Sequence, residues 1–388
     1  MTDRYQPSDE RALSELLCWA AQGRVPLELT GAGSKRGLGR PVQAAGTLDL
    51  SGLRGVTLYE PNELVMRARA GTPLAEITAL LAEHRQHLAF EPADYGALLG
   101  GASGQGTIGG LFATNLSGPR RLAAGAGRDH ILGVSCVSGR GEVFKAGGRV
   151  VKNVTGFDLP KLLAGSFGTL AAMTEITFKV MPAPDSGRTL LVRGLSDINA
   201  NRLMTRALQS PHEVSGAAHL PGSVTAIRVE GAAPSVVHRC QALRRDLADG
   251  LPTEELQTTA SAEFWREVRD VTALPGAAIV WRLLPPPASA ARLVAAITVT
   301  QEVRAVYDRG GGLVWLAVTA PDAAADTVRR AIAATGGIAT LVRAPADIRA
   351  HVPVFQPLPE PLRKLSERVK EAFDPQRILN PGRMYAGM

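Results

Sequence analysis

The chain has 388 residues, 45% of them hydrophobic, which is enough for two or three domains with sizeable cores. Its net charge is +7, but the basic residues form no continuous run and no pattern with aromatics, so the composition argues against nucleic-acid binding. Three scattered cysteines, Cys18, Cys136 and Cys240, are too few for a disulfide framework, a zinc site or an iron–sulfur cluster.

The hydropathy pattern gives no sign of a membrane segment. Residues 1–8 carry no apolar signal core, and nowhere do 18 apolar residues run without interruption. We therefore expect a cytoplasmic protein with no direct membrane span.

The chain begins with the pattern of a helix followed by a strand. Ser8 is a candidate N-cap, and Gly23 ends the helix. Four apolar residues recur at helical spacing between them: Leu13, Leu16, Leu17 and Ala20. An apolar run over 25–29 then predicts a strand that leads into a glycine-rich loop at 30–39.

The pattern continues with strands near 47–50 and 64–70. Thr72 and Pro73 are suited to cap and open the helix that follows. Residues 99–118, LGGASGQGTIGGLFATNLSG, show neither strand nor helix periodicity, and a tight SGRG turn at 138–141 then predicts a hairpin.

After Pro184 the order strand, helix, strand, helix appears twice, which favours an α+β domain built on an antiparallel sheet. A last helix is predicted over 362–373. We predict three regions: a cofactor-binding domain over 1–185, a smaller α+β cap or substrate-like domain over 186–350, and a C-terminal segment over 351–388 that returns to the first domain.

Two glycine-rich loops are the strongest functional signals. In 30–39, glycines allow backbone N–H groups to turn toward an anion, and Lys35 and Arg36 add positive charge, but a surface turn would look the same. The loop lacks the third glycine of the dinucleotide fingerprint, which argues against an NAD-dependent dehydrogenase. The second loop, GQGTIGG at 104–110, has glycines at several points, which indicates that another group approaches its backbone closely. That group is either a bound ligand or a sheet against which the loop packs.

Four separated motifs together resemble a known family. They are TGAGS at 30–34, GTIGG at 106–110 with ATNLSG at 113–118, GSFGTL at 165–170, and NPG at 380–382. In this order they resemble the vanillyl-alcohol-oxidase, or PCMH-type, FAD flavoproteins. The segment 150–176 and the ending FDPQRILNPGRM further resemble the FAD-binding subunits of bacterial glycolate oxidases.

The resemblance implies an α+β fold, in which a two-lobed PCMH-type FAD-binding domain carries the smaller cap domain. It also implies the residues that hold FAD. The pyrophosphate would lie on the first loop and the ribityl side on the second, with the third motif along the cofactor and the C-terminal asparagine closing over the flavin. The implied residues are Gly31, Ala32, Gly33, Ser34, Lys35, Gly106, Thr107, Gly109, Gly110, Thr114, Asn115, Gly168, Thr169, Leu170 and Asn380. Since the first loop has no histidine or cysteine for a covalent tether, we expect non-covalent FAD.

Catalytic residues are not identified by the sequence. None of the seven histidines falls in a metal-ligand spacing after residue 190, so no metal is predicted. Asp129 and His130 are compatible with a solvated turn or with an acid–base couple. Lys152 and Asp158 are compatible with a structural ion pair or with a contact at the flavin edge. Trp265, Trp281 and Trp315 are expected in the core.

The resemblance implies an FAD-dependent oxidoreductase subunit in a complex that converts glycolate to glyoxylate. Its partners would be a larger homologous flavin subunit and an iron–sulfur subunit. The substrate of the complex would be a small 2-hydroxy acid. Contact with the inner face of the cell membrane would come only through these partners. This chain would relay electrons or support the complex. Two alternatives remain open: a self-sufficient FAD-dependent oxidoreductase for 2-hydroxy acids or alcohols, and a non-catalytic scaffold subunit.

Overall fold

The computed structural model describes residues 3–149 and 156–388. Lys152 and the first residues of the family-like segment 150–176 therefore lie outside the described residues. The chain divides into two compact units: unit 1 comprises 1–116, 126–183 and 357–388, and unit 2 comprises 117–125 and 184–356. Whether these units fold and act as separate domains stays a prediction, with the limits at 185 and 350 that the sequence suggests.

The helices and strands alternate along most of the chain. In chain order they are β1 Asp3–Tyr5, α1 Glu10–Gly23, β2 Leu27–Thr30, β3 Gly46–Asp49, β4 Val56–Glu60, β5 Val65–Arg69, α2 Leu74–Glu83, β6 Gln86–His87, α3 Ile108–Thr114, α4 Arg121–Ala124, β7 Ile131–Ser138, β8 Val143–Gly147, α5 Leu159–Leu163, β9 Ala171–Lys179, β10 Met181–Pro182, β11 Ser186–Val192, α6 Asp197–Gln209, β12 Val214–Leu220, β13 Val224–Gly231, α7 Ala233–Leu247, β14 Thr253–Gln257, α8 Thr258–Asp270, β15 Ile279–Leu284, α9 Ala290–Thr298, β16 Val303–Asp308, β17 Leu313–Val318, α10 Ala325–Thr335, β18 Ile338–Arg343, α11 Ala346–His351 and α12 Glu360–Phe373.

Unit 1 is built on two main sheets. A parallel three-stranded sheet has the order β1-β3-β2, and an antiparallel five-stranded sheet has the order β4-β5-β9-β7-β8. The apolar stripe of α1 packs with the parallel sheet, because Leu13 and Leu17 lie in one buried cluster with Leu27 and Leu48. The predicted hairpin at 138–141 is confirmed as the β7–β8 turn.

Two predicted helix starts are each wrong by one residue. Asp9, not Ser8, caps α1, and its carboxylate accepts the N–H of Ala12 at 2.8 Å. Thr72 does not cap α2, because its hydroxyl donates to the carbonyl of Arg69 at 2.7 Å and the helix begins at Leu74. At α1 the neighbouring Asp9 makes the capping hydrogen bond, and before α2 the carbonyl of Arg69 takes the hydroxyl of Thr72.

The glycine-rich stretch 99–118 contains a helix, which the sequence did not predict. Thr107 is the N-cap of α3, and its hydroxyl accepts the N–H of Gly110 at 3.3 Å. The helix has only seven residues, too few to show periodicity. Gly109 lies so close to β5 that a Cβ there would stand 2.8 Å from the Ala70 carbonyl oxygen, so the glycine serves close packing.

Unit 2 contains an eight-stranded sheet of order β14-β11-β13-β12-β16-β17-β15-β18. Its paired strands are antiparallel, as predicted. Helices α6, α7, α9 and α10 contribute to a large apolar core with the sheet. The three tryptophans of unit 2, Trp265, Trp281 and Trp315, are buried, which confirms their predicted place in the core. Among the helices in the described ranges, none is long and apolar enough to cross a membrane.

Candidate cofactor site

The first glycine loop leaves strand β2 with its backbone donors unused. Within the described residues, none of the N–H groups from Gly31 to Lys35 has a hydrogen-bond partner in the protein. Gly33 has a φ of +76°, a left-handed conformation that turns successive N–H groups toward one side. Consecutive free N–H groups in such a turn form a concave site for an anion.

Lys35 connects the first loop with the second. A Cβ built on Gly106 would lie 3.4 Å from the Lys35 ammonium nitrogen, and one built on Gly110 would lie 3.8 Å from it. Desolvation lowers the pKa of Lys35, and the charge of Asp94 opposes this shift without cancelling it. The ammonium group therefore lacks a full counter-charge, and a bound anion would supply one.

Arg383 brings the C-terminal motif to the same place. Its guanidinium is buried and donates to the carbonyl of Lys35 at 3.0 Å, while Nη1 lies 3.4 Å from Glu28 Oε1. Glu28 also forms an ion pair with Arg36. Arg383 is not among the site residues that the sequence predicts, because 348 residues separate it from Lys35.

The second loop packs directly on the first. A Cβ on Gly31 would lie 2.6 Å from Thr107 Oγ1, so only glycine fits there without a shift of one loop. Thr114 donates its hydroxyl to the Gly110 carbonyl at 2.7 Å and thereby holds α3. The glycine at 31 therefore allows the two loops to approach each other closely.

The third motif and the C-terminus form the opposite wall. Asn380 donates Nδ2 to the Phe167 carbonyl at 2.8 Å, and its Oδ1 accepts the N–H of Leu29 at 2.9 Å. Phe167 and Gly168 both have positive φ, at 55° and 68°. Asn380 therefore ties strand β2 to the turn that presents Gly168.

One cavity in unit 1 brings most of these residues together. Eleven of the residues implied by the resemblance line it: Gly31, Ala32, Gly33, Ser34, Lys35, Thr107, Gly109, Gly110, Thr114, Gly168 and Asn380. Arg36, Phe167 and Arg383 join them, with an apolar side that includes Ala70 and Met173. The volume of about 100 Å³ is below the ~300–1,000 Å³ of whole ligand pockets, so the cavity matches one portion of a dinucleotide.

Four implied residues lie elsewhere. Thr169 and Leu170 line a neighbouring groove rather than the cavity. Asn115 accepts the N–H of Arg128 at 2.9 Å and so fixes a turn, and Gly106 stands beside the Lys35 ammonium.

The other candidate residues have structural partners. Asp158 caps α5 and forms an ion pair with Lys161 at 2.7 Å. Asp129 accepts the N–H of Ala126 at 2.8 Å, while buried His130 packs against the ring of Phe90 at 5.0 Å. Among residues 3–149 and 156–388, no group of three or more His, Cys, Asp or Glu side chains is placed to hold a metal.

The donor set fits the pyrophosphate of a dinucleotide. Free N–H groups, an incompletely neutralised lysine and a buried arginine converge on a cleft whose glycines leave no side chain in the way. Backbone N–H groups and cations are the usual partners of phosphate oxygens. The apolar wall beside them suits a less polar part of the same ligand.

Sequence comparisons agree with this geometry. Residues 4–147 match the family model described as FAD binding domain. The chain is 36% identical over 381 residues to the glycolate oxidase subunit GlcE of Escherichia coli, covering 97% of both chains. It is also 26% identical to the glycolate oxidase subunit GlcD of Bacillus subtilis, over 72% of this chain and 68% of that protein.

Solved structures share the fold. A 4-ethylphenol oxidase from Gulosibacter chungangensis superposes with a TM-score of 0.71 at 14% identity, covering 99% of this chain and 89% of that one. An alkyldihydroxyacetonephosphate synthase gives a TM-score of 0.70 at 15% identity, covering 97% and 75%. The predicted α+β class, a PCMH-type FAD-binding fold with an antiparallel cap sheet, is confirmed.

Proposed function

The chain belongs to the family of the glycolate oxidase subunit GlcE, with FAD as its cofactor, and from this premise we propose that it is an FAD-binding subunit of a complex that oxidises glycolate to glyoxylate. The observation that carries the proposal is the cavity in unit 1, where the two glycine loops and Arg383 meet. The family relationship covers nearly the whole of both chains, so the subunit role applies to unit 2 as well as to the FAD-binding region.

Bound FAD would supply reversible uptake of electrons, and the described residues would hold and orient it. The free N–H groups of Gly31 to Lys35 would bind the pyrophosphate, together with the ammonium of Lys35. Thr107 and Gly110 would form the facing wall, and Asn380 would close the cavity from the C-terminal side. None of these contacts forms a covalent bond, so FAD would dissociate on denaturation.

The electron-relay role rests on the division between two kinds of homologous subunit, represented by GlcE and GlcD. Oxidation of glycolate to glyoxylate releases two electrons and two protons. In the proposed complex a larger homologous flavin subunit removes them from glycolate, an iron–sulfur subunit accepts electrons, and this chain holds FAD on the route between them. Contact with the inner face of the cell membrane would come through these partners.

Anaerobic reduction of the purified, FAD-loaded chain tests the division of labour. Glycolate alone should leave the flavin absorbance unchanged on the timescale of turnover, and addition of the homologous flavin subunit should bleach it. Rapid bleaching by glycolate alone would instead show a self-sufficient oxidoreductase. A complex that turns over at the full rate with an FAD-free form of this chain would show a scaffold.

A further inference from the structure

A buried ion pair between Lys370 of α12 and Asp374, the residue that follows the helix, stands directly behind two walls of the cofactor cavity. Lys370 is 4% exposed and Asp374 is fully buried, and their charged atoms are 2.7 Å apart. Lys370 is the only buried residue of α12, although the helix also carries leucines and a valine. An apolar pair would fill this space at lower desolvation cost, so the charges call for a reason other than packing.

The pair bonds to four backbone groups next to the cavity. Besides Asp374, the Lys370 ammonium donates to the carbonyls of Thr169 at 2.6 Å and Leu379 at 3.0 Å. The Asp374 carboxylate accepts the N–H groups of Ile378 at 3.1 Å and Leu379 at 2.9 Å. An ammonium has three donors, and each has found one acceptor here.

These contacts fix the turn that presents Gly168. The carbonyl before Gly168, that of Phe167, is held by Asn380, and the carbonyl after it, that of Thr169, is held by Lys370. Asn380 in turn is placed by the segment that Asp374 holds, because Ile378 and Asn380 bond to Leu27 on strand β2 at 2.7 and 3.0 Å. The Lys370–Asp374 pair therefore sets the spacing between the turn and strand β2.

We propose that Lys370 and Asp374 are positioning residues for FAD, which fix the Gly168 turn and Asn380 as preformed walls of the cavity. The inference rests on the proposed function, because it concerns the same site. Neither residue lines the cavity, so its effect on FAD binding must pass through backbone geometry. A wall that is fixed in advance spares the ordering cost of binding.

The test compares two double variants of the same helix. Lys370→Met with Asp374→Asn removes both buried charges together, and the asparagine keeps one acceptor oxygen in place of the two that bind the N–H groups of 378 and 379. Arg363→Met with Glu367→Gln removes an exposed ion pair with the same i,i+4 spacing on α12. The FAD dissociation constant, the visible spectrum of bound flavin and the melting temperature of the FAD-free chain are measured for both and for the wild type.

The buried double variant should melt a few degrees below the wild type, because the carbonyls of Thr169 and Leu379 lose their donor. The folded variant should bind FAD at least about tenfold more weakly, or about 1.4 kcal/mol, with an altered flavin spectrum. The exposed double variant should match the wild type in all three. Wild-type affinity and spectrum in the buried double variant would overturn the inference. Failure of the wild type to bind FAD would instead overturn the proposed function.

A measurement on the wild type tests the same inference without any variant. Coupling is reciprocal, so FAD must stabilise the backbone that the ion pair holds. Hydrogen exchange at the amides of Ile378 and Leu379, which are buried and do not line the cavity, should slow when FAD is added, while exchange in β4 should not change. Equal exchange at 378 and 379 with and without FAD would overturn the inference.

Discussion

Replacement of Lys35 by methionine should weaken FAD binding by about thirtyfold. The ammonium lies between the two glycine loops, within reach of the backbone at Gly106 and Gly110. Among residues 3–149 and 156–388, its one hydrogen bond is a long one, 3.4 Å, to Ser34. A charge-assisted hydrogen bond in a partly buried site contributes about 1.5–3 kcal/mol. A loss of about 2 kcal/mol corresponds to roughly thirtyfold in the dissociation constant.

The assay is titration of the FAD-free chain with FAD, followed by flavin fluorescence at two salt concentrations. The matched control is Lys145→Met, which deletes the same charge from an exposed position on β8. Lys35→Met should also flatten the salt dependence of the affinity, because one fewer charge faces the phosphates. A Lys35→Met variant that folds and binds FAD within twofold of the wild type would refute the assignment of this cavity to the pyrophosphate.

Three further variants test other parts of the account. Gly31→Ala would place a Cβ 2.6 Å from Thr107 Oγ1 and should weaken FAD binding about tenfold in the same titration. The control Gly148→Ala, whose Cβ would meet nothing within 4 Å, should leave the affinity unchanged. Equal affinity in both variants would contradict the tight spacing of the loops. In unit 2, burial alone would raise the pKa of Glu230, but Arg228, Arg120 and Ser215 outweigh it and hold that pKa below its usual 4.5. The stability from this carboxylate is therefore present above about pH 4.5 and is lost as pH falls through the lowered pKa. In urea melts, Glu230→Gln should lower the free energy of unfolding by about 3 kcal/mol at pH 7 and should lose less stability than the wild type between about pH 5 and 3. Parallel curves of stability against pH for the variant and the wild type would contradict the assignment. Arg309→Met removes donors to the carbonyls of Ser117 at 2.6 Å and Gly118 at 3.2 Å and should lower the melting temperature of unit 2 by about 4–8 °C. The control Arg304→Met, at an exposed position, should change the melting temperature by about 1 °C or less. Similar melting temperatures for both variants would show that the buried contacts contribute nothing.

The glycine motifs made much of the site predictable from the sequence. Glycine at 31, 33 and 109 marks backbone conformations or close approaches that other residues do not tolerate, and such constraints are visible in the sequence itself. Helix α3 was not predicted because two turns containing two glycines give no periodic signal. Its N-cap, Thr107, was predicted only as a residue that would hold FAD.

Residues that reach the site from far along the chain could not be predicted. Arg383 joins Lys35 across 348 residues, and Lys370 reaches Thr169 across 201. In the sequence Lys370 looks like an ordinary surface lysine of an amphipathic helix, because its neighbours Arg368 and Glu371 are charged. Only the tertiary fold shows that it turns inward.

The most direct test of the central claim is the visible absorption spectrum of the purified chain, before and after denaturation, with identification of any flavin released. The account predicts flavin bands in the native protein, or after addition of FAD, and release of free FAD on denaturation. A chain that stays colourless and does not bind added FAD would contradict the assignment of the cavity, and flavin that remains attached after denaturation would contradict non-covalent binding.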